Sequence, residues 1–598
     1  MSRMRTMNSR NVSNERLWEG RLFFVAVVVS LALPNLIYSG LYFFQTLHIM
    51  KWTVALFPVA CLSLITGSLV LWAGPERARF RIDIFGWVWF ALLIYVTLQP
   101  LWISVRSVPT FYREWFFFAS MWALYVLCLN RFKDVWLTPL LWLATLNGAV
   151  NVVFAELQVG NNVDVFGPLK LILPTPGNYI GNTGQQNMLG LWLAIVALGA
   201  VFIYLRHGLK GAVGWRRLVA LSNLGLLSVA LWGLWNSTSR SAILSFMVGV
   251  ALLALLIIMG RDRVRLRRLG QCLVLLVAVL TISVVLNQGR SGALLYKAKD
   301  LIENADTVGG REGIWKTSWT MARQYGVRGV GLGQYKWHYL ESQAEAFQRY
   351  PDMRWQYTNW AHNEYLQWLC ESGVIGFVVL IGLGMWWLVS FSRYILTHRG
   401  KPFEDGVLWG GAFSFLIWFD ALWTRPFHRI EDALWVSLAF AVVNREIWKL
   451  QDNRPTVSFL SSSWIVRGVG AGMAIASLFG LIYLGQGLRG DVTLRRAMQA
   501  RTVAVQRGLL EKAESSLMVR DLVERQLAYH YISVGELDRD PRALAHGLSR
   551  LMKTFDQEPT AEDLRKLMNW AGKLKKRELL EKLVLYLKPG SYTIKSRP

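Results

Sequence analysis

The chain has 598 residues, of which 53% are hydrophobic and 29 are Trp, and its formal net charge is +26. Together with a mean hydropathy of +0.31, this amount of apolar surface excludes an ordinary soluble globular protein. The positive charge does not indicate a nucleic-acid-binding protein, because the basic residues cluster in short stretches between apolar runs.

Apolar runs long enough to cross a bilayer recur along the chain. About 20 apolar residues are needed for one crossing, and we count roughly 13 such runs. We predict spans at 22–38, 52–73, 84–105, 115–130, 136–157, 188–205, 218–235, 241–260, 271–287, 371–392, 407–424, 433–449 and 468–487. The first run lacks a small-residue cleavage site and further spans follow it, so it is not a cleavable signal peptide. The sequence therefore predicts an all-α polytopic membrane protein.

The basic stretches 77–81, 206–217, 261–268 and 397–401 lie between alternate predicted spans. Positively charged loops stay in the cytoplasm, so this pattern places the N-terminus there. An odd number of spans then places the C-terminus on the outer side. All four cysteines lie in or beside apolar runs, and we interpret them as small buried hydrophobic residues.

This topology divides the chain into five segments. They are a cytoplasmic N-terminus (1–21), the first part of a transmembrane bundle (22–287), a large outer loop (288–370), the second part of the bundle (371–487) and a C-terminal outer domain (488–598). The last segment alternates apolar and charged residues at helical spacing, which predicts a small helical domain.

Polar residues gather at the outer ends of the predicted spans. Arg106 and Arg113 come first, and they are candidate anion ligands because cations on the outer side oppose the topological bias. Gln185, Gln186 and Asn187 follow at a helix entrance, in "GNTGQQNMLG". Their amides either bind sugar hydroxyls and phosphate oxygens or cap the next helix.

Arg240 stands at the predicted start of a span among the hydroxyls of "NSTSRSAIL". Such hydroxyls are good N-caps, and a helix N-terminus presents free amide N–H groups with a partial positive charge. An arginine at that point adds a bidentate donor for phosphate. The alternative is an interfacial arginine that reaches lipid headgroups.

Arg311 follows Gly309 and Gly310, which predict a tight turn and close approach of a ligand. The alternative is a loop arginine paired with Glu312. No P-loop is present, so ATP is not the evident energy source. The predicted spans are nearly free of charge and offer no carboxylate pair typical of a magnesium site.

His362 lies where the large outer loop enters a predicted span, in "AHNEYLQWLCESGVIG". A histidine of near-neutral pKa accepts a proton from a hydroxyl nucleophile. Glu364 and Glu371 are seven residues apart and share a helix face, whereas we expect His362 on another part of that helix, near Leu366 and Leu369. The alternative is an interfacial histidine bonded to a loop carbonyl.

The motifs "GNTGQQNMLG", "NSTSRSAIL", "GREGIW…GVRGVGLGQY" and "AHNEYLQWLCESGVIG" follow one another in this order. Their order and spacing resemble the O-antigen ligase and polymerase superfamily over roughly residues 20–450. The chain is most similar to the branch of bacterial protein O-oligosaccharyltransferases. Met188 departs from that branch, in which a histidine or another polar residue is expected after "GQQN".

The resemblance implies a C-type-like membrane glycosyltransferase fold in the bacterial inner membrane. It implies a metal-independent, inverting enzyme that passes a glycan from undecaprenyl diphosphate to an acceptor hydroxyl on the periplasmic side, with no cofactor. His362 and Arg240 would be catalytic, and Arg240 and Arg311 would contact the diphosphate, to which we add Arg113. We expect glycan and acceptor ligands among six side chains: Gln185, Gln186, Asn187, Asn363, Glu364 and Glu371.

The identity of the acceptor stays open at this point. A protein Ser or Thr is favoured by the amide-rich "GNTGQQN" stretch and the C-terminal extension, and lipid A core or a growing lipid-linked glycan are the alternatives. A polysaccharide transporter is a more distant alternative, and it would not need His362 for its activity.

Overall fold

The computed structural model describes residues 20–38, 49–78, 80–210, 212–286, 306–451, 463–557 and 559–587. Helices are the only regular elements in these ranges. Apart from one-turn helices, the helices of the first half are, in chain order, α1 (Gly20–Ala32), α2 (Ile49–Ala73), α3 (Ile84–Leu98), α4 (Val108–Arg131), α5 (Leu137–Val159), α6 (Gln186–His207), α7 (Trp215–Asn236), α8 (Arg240–Met259) and α9 (Arg263–Leu286).

The second half continues with helices only. They are α10 (Asp306–Tyr325), α11 (Tyr335–Arg349), α12 (Glu364–Thr397), α13 (Asp405–Asp420), α14 (Ile430–Gln451), α15 (Ser463–Met498), α16 (Val503–Glu514), α17 (Arg520–Leu537), α18 (Pro541–Gln557), α19 (Ala561–Lys573) and α20 (Arg577–Val584). The predicted helical tail is thus confirmed over its described residues.

Each of the 13 predicted spans overlaps a helix, although the spans 22–38 and 84–105 extend past the ends of α1 and α3, and the all-α polytopic fold is confirmed. Within the described ranges, nine helices are long and apolar enough to cross a membrane: α2, α3, α5, α6, α7, α8, α9, α12 and α15. The helices α1, α4, α13 and α14 are not in that group, because they are shorter, less apolar or more charged. The exact number of spans therefore stays a prediction.

Helix α6 forms the centre of the bundle, since every residue from Leu189 to Leu205 is buried. It packs against α5, α7 and α8. Helices α2 and α15 approach closely at Gly67 and Gly470, where a Cβ on Gly67 would meet the backbone oxygen of Gly470. Small residues at such crossings let two backbones pack tightly within a membrane.

Two polar clusters mark opposite ends of this bundle. At one end, Asp405 pairs with Arg265 at 2.7 Å and with Arg206 at 3.4 Å. The basic stretches that follow α6, α8 and α12 meet there. At the other end, Lys51 at the start of α2 pairs at 3.2 Å with Glu431 at the start of α14. The residues predicted to have a chemical role lie toward this second end.

Helix α12 begins at Glu364, earlier than the predicted span 371–392, and it is broken at Gly373. Gly373 has φ 65° and ψ −174°, a conformation that is essentially restricted to glycine. The loop 326–333 crosses at this break, where Val330 N–H donates to Cys370 O and Gly331 N–H donates to Glu371 O, both at 2.9 Å. The break thus leaves backbone carbonyl groups of α12 available to accept hydrogen bonds from the loop.

The C-terminal helices α16 to α20 pack against the segment that carries α10 and α11. Trp355 donates its indole N–H to Tyr586 O at 2.9 Å, and Ser107 at the start of α4 hydrogen-bonds to Asp521 in α17. The predicted boundary at 487/488 lies inside α15, which runs without interruption from the bundle to Met498. This tail domain therefore lies at the same end of the bundle as Lys51.

Replacing Gly373 by Ala should destabilise the protein. A Cβ at this position would collide with the backbone oxygen of Val327 and nitrogen of Gly329, and the backbone conformation itself costs about 1–3 kcal/mol for other residues. We expect a clearly lower thermal unfolding midpoint in detergent. The matched control is Gly382→Ala in the same helix, where a Cβ meets no atom within 4 Å. Equal midpoints for the two variants would contradict this assignment.

Candidate active site

His362 lies in the turn before α12. Its neighbour Ala361 is held on both sides, because Ala361 N–H donates to Gln367 Oε1 at 2.9 Å and Trp315 Nε1 donates to Ala361 O at 3.2 Å. The next residue, Asn363, is the N-cap of α12 and accepts the N–H of Leu366 at 3.0 Å. The turn that presents His362 is therefore fixed by hydrogen bonds on either side.

The expectation that His362 sits on the helix near Leu366 and Leu369 is wrong. The residue has a φ of 51°, in the left-handed region, so it precedes the cap and cannot continue the helix. Its ring is partly exposed at the end of the bundle. A left-handed histidine is uncommon, and such backbone conformations are concentrated at functional sites.

The start of α12 is joined to the turn that follows α13. Glu364 N–H donates to Ala421 O at 2.8 Å, and the Asn363 side-chain amide donates to Leu422 O at 3.1 Å. Arg311 reaches the same turn from α10, where it donates to Trp423 O at 2.8 Å. Three separate parts of the chain thus meet beside His362.

Arg311 is a helical residue, so the predicted glycine turn at Gly309 and Gly310 is wrong. Both glycines lie inside α10, and Glu312 pairs with Lys316 one turn on, at 2.5 Å. Burial lowers the pKa of Arg311, the carboxylate of Asp420 opposes this shift, and the positive charge of Arg240 adds to it. Arg240 and Arg311 are consequently close enough to repel each other.

Arg240 is the first residue of α8, as predicted. Ser239 occupies the N-cap position, but its hydroxyl makes no capping hydrogen bond and lies 3.5 Å from the hydroxyl of Ser241 instead. The Ser239 hydroxyl therefore does not cap the first turn of α8.

Arg425 was missed by the sequence analysis. Its guanidinium carbon lies 3.2 Å from the centroid of the Trp360 ring, two residues before His362. Burial lowers its pKa to about 9, with Glu114 acting against this and Arg429 adding to it. The available signal was "WTRPFHRIED", which places two arginines on the predicted outer side, where cations oppose the topological bias.

The positive surroundings control the protonation of His362. Burial, followed by the charges of Arg311 and Arg425, lowers the pKa of His362 to about 4. The imidazole is therefore neutral at physiological pH and has a lone pair that accepts a proton. The neighbouring cations oppose protonation of this ring, so an anionic substrate that neutralises them would increase its tendency to accept a proton.

Glu364 and Glu371 are almost completely buried, with exposed fractions of 0% and 1%. Their carboxylates face His428, whose Nδ1 lies 2.5 Å from Glu364 Oε1 and whose Nε2 lies 3.6 Å from Glu371 Oε2. The shared helix face predicted for the two glutamates therefore faces inward. His428 was not among the predicted site residues.

The side chains of Gln185, Gln186 and Asn187 are exposed at the start of α6. Gln185 occupies the N-cap position but makes no side-chain capping bond, so capping does not account for it. The preceding Asn182 anchors the loop, since its side chain accepts Leu173 N–H and its carbonyl oxygen accepts Lys51 Nζ. Through Lys51 and Glu431 this loop is linked to the end of the bundle that carries His362.

The two outer arginines, Arg106 before α4 and Arg113 in its first two turns, have internal partners. Arg106 pairs with Glu341 at 2.6 Å and donates to Trp337 O. These two contacts hold α11 against the segment that precedes α4. Arg113 lies 3.3 Å from Glu114, whose carboxylate in turn acts on Arg425. The structure therefore links Arg113 to the arginines near His362 through Glu114.

An apolar cavity of about 250 Å³ lies beside this region. It is lined by aliphatic and aromatic side chains of α3, α4, α12, α13 and α14. Tyr365, Trp368 and Phe427 line it as well, and they are neighbours of Glu364 and His428 along the chain. Ile381 and Met385 line it from the exposed side of α12, so the cavity faces the surroundings of the bundle.

Residues 224–381 match the family model described as O-Antigen ligase. No curated protein matches the chain. The matched segment includes Arg240, Arg311 and His362, whereas Arg425 and His428 follow it. The match supports a glycosyltransferase of the O-antigen ligase or polymerase type, and the apolar helices support a multi-pass membrane protein.

The His362 ring should stay neutral down to about pH 4. Histidine-selective isotope labelling and NMR in detergent would follow the eight histidines, with the His362 signal assigned by its loss in His362→Asn. Asn is chosen because it tolerates a left-handed backbone better than Ala. A titration midpoint near the usual value of about 6.5 would contradict the electrostatic account.

Proposed function

Because residues 224–381 place this chain in the O-antigen ligase superfamily, we propose that it transfers a glycan from undecaprenyl diphosphate to an acceptor hydroxyl. The observation that carries the proposal is the neutral His362 beside Arg311 and Arg425 at one end of an apolar bundle. Arg240, on the next helix terminus, extends the same cationic region.

The arginines would bind the diphosphate of the donor. A lipid diphosphate is a good leaving group once its charge is stabilised, and guanidinium groups donate to phosphate oxygens in a fixed, bidentate geometry. Arg240, Arg311 and Arg425 supply three such groups, with Arg113 behind Glu114. The N-terminus of α8, with its partial positive charge, lies in the same cationic region. In this proposal guanidinium groups provide the charge stabilisation, so no metal ion is required for it.

The hydrocarbon part of the donor needs an apolar surface next to the cationic region. The 250 Å³ cavity between α3 and α12 is lined by apolar side chains and extends from Tyr365 toward Met385, along the side of α12. We propose that an isoprenoid segment lies there, with the diphosphate toward the arginines. Burial of hydrocarbon contributes about 25 cal/mol per Å² to binding.

His362 would take the proton of the acceptor hydroxyl, or orient that hydroxyl, as its oxygen attacks the anomeric carbon. The new bond joins the acceptor oxygen to the anomeric carbon, and the bond from that carbon to the phosphate oxygen breaks. The electron pair leaves with the diphosphate, whose charge the arginines stabilise. A single displacement of this kind inverts the anomeric configuration.

For the acceptor we propose a Ser or Thr hydroxyl of a protein. The tail domain packs on the segment that ends at His362, as the hydrogen bond from Trp355 to Tyr586 illustrates. Gln185, Gln186 and Asn187 are exposed and thus accessible to a glycan or an acceptor chain. We also keep Asn363 as a candidate contact, because it directly follows His362. Lipid A core and a lipid-linked glycan are the alternative acceptors.

We propose that the site lies on the periplasmic side of the bacterial inner membrane. The basic stretches after α6, α8 and α12 lie at the opposite end of the bundle, and such stretches stay in the cytoplasm. The burial of Glu364 and Glu371 indicates that they support the site from within. They are therefore proposed as structural supports of His362 in place of the acceptor contacts expected from the sequence.

Purified protein supplied with a lipid-linked glycan should transfer it to one acceptor class, and His362→Asn should lose most of that activity. General base catalysis contributes roughly 10²–10⁴-fold, so a loss of this order is expected in the transfer rate. Substantial residual activity in His362→Gln would favour orientation over proton transfer. Protein, lipid A core and a second lipid-linked glycan would be tested in parallel as acceptors.

The matched control for His362→Asn is His530→Asn, since His530 is bonded to Gln506 inside the tail domain, at 2.8 Å. Wild-type transfer by a correctly folded His362→Asn variant would refute the enzymatic role of this residue. Transport of the glycan without transfer by the wild-type protein would favour the transporter alternative.

Arg425→Ala should weaken donor binding. Hydrogen bonds to charged groups contribute about 1.5–3 kcal/mol, which corresponds to a loss of roughly 10- to 100-fold in donor affinity. Arg425→Lys should recover only part of it, because lysine lacks the planar fork. The control is Arg206→Ala at the opposite end of the bundle, where Arg206 pairs with Asp405. Equal donor affinities for Arg425→Ala and Arg206→Ala would exclude Arg425 from the donor site.

A further inference from the structure

We propose that His428 is a positioning residue that fixes the start of α12 against the 423–429 segment and thereby sets His362 relative to Arg425. The inference rests on the proposed function for its catalytic consequence. Its structural part, the placement of His362 against Arg425, is independent of the reaction that these residues serve.

The His428 ring lies between the two carboxylates of α12. Its Nδ1 is 2.5 Å from Glu364 Oε1, which is a short hydrogen-bond distance. Its Nε2 is 3.6 Å from Glu371 Oε2, which is an electrostatic contact that is too long for a hydrogen bond. The ring also lies beside Trp368, with 5.8 Å between the ring centroids. His428 thus contacts two successive parts of the first turns of α12.

Each carboxylate is held by further donors. Glu364 accepts Trp368 Nε1 at 3.0 Å and the backbone N–H of Phe427 at 3.2 Å. Glu371 accepts Gln367 Nε2 at 2.7 Å and the backbone N–H of Gly333 at 2.8 Å. The cluster therefore joins α12, the 423–429 segment and the loop 326–333 in one buried network.

The cluster is adjacent in sequence to both groups that it would position. Glu364 follows His362 by two residues, and His428 follows Arg425 by three. A shift of the ring would therefore move the turn that carries His362 or the segment that carries Arg425. His428 is buried and bonded to α12, so it does not present its ring nitrogens to a substrate.

The positive charge of the His428 imidazole strengthens this network. Burial alone would lower the pKa of His428, but the carboxylates of Glu364 and Glu371 outweigh it and hold this pKa well above its usual range. Other charged and polar groups surround this network. Arg425 and Arg429 are the cations of the same segment as His428, and the carboxylate of Glu114 in α4 acts on Arg425. The loop 326–333 donates a backbone N–H to Glu371. A charged imidazole therefore persists at neutral pH. Its stabilising effect would be lost only as the pH rises through the raised pKa.

The experiment compares the titration of His362 in the wild type and in His428→Gln, by NMR of labelled histidine. Gln keeps a hydrogen-bonding side chain but carries no charge. If His428 positions Arg425 against His362, its loss moves the Arg425 charge away, and the pKa of His362 should rise from about 4 toward the usual value. A role confined to stability would lower the unfolding midpoint and leave this titration unchanged.

The activity measurement gives a second, separate result. A displacement of about 1 Å costs on the order of 10²-fold in rate, so kcat of His428→Gln should fall by one to two orders of magnitude. The pH below which kcat/KM falls should rise together with the pKa of His362. The matched control, His530→Gln, should leave both this pH and the titration unchanged.

The outcomes separate this inference from the proposed function. An unchanged His362 titration in folded His428→Gln overturns the positioning role, whatever the activity. A shifted titration in a protein that transfers no glycan supports the positioning role and counts against the proposed reaction. Should His428→Gln fail to fold, Glu371→Gln removes the longer contact and keeps the Glu364 bond. A smaller shift in the same direction would support the inference, and no shift would overturn it.

Discussion

Positive charge beside an apolar bundle is the constraint on which the rest of this structure depends. Arg311 and Arg425 are drawn together near His362, with Arg240 close to Arg311, and desolvation penalises the guanidinium groups of Arg311 and Arg425. Part of the cost is offset within the protein, by Asp420 near Arg311 and by the face of Trp360 under Arg425. An anionic ligand would complete this compensation, so the site favours the binding of anions.

Hydrogen bonds at the helix ends and in the irregular backbone hold the region around His362 together. Because α12 breaks at Gly373, the loop 326–333 can pair with its backbone at that depth in the bundle. The same loop donates Gly333 N–H to Glu371, which connects the break to the buried carboxylates. Non-helical backbone is tolerated in such surroundings only where its polar groups are bonded. The local distortions near His362 are therefore part of one hydrogen-bonded arrangement.

The sequence predicted the helices well because hydrophobic runs of about 20 residues leave few alternatives. The motifs also singled out Arg240, Arg311 and His362, which the structure brings to the same end of the bundle. Arg425 and His428 were not predicted, because they follow a predicted span within a short connection that has no periodicity of its own. The turn predicted at Gly309 is absent because this residue lies inside α10, where the helix forms despite the low helix propensity of glycine.

Helix α15 connects the bundle to the tail domain as a single stretch of 36 residues, about 54 Å long at about 1.5 Å per residue. The orientation of the tail about this axis is therefore set by helical phase. One residue added to the exposed part of α15 would turn everything beyond it by about 100°, since a turn takes about 3.6 residues. The contact between Trp355 and Tyr586 would then be out of reach. The number of residues in this helix is therefore constrained by the contacts that the tail domain makes.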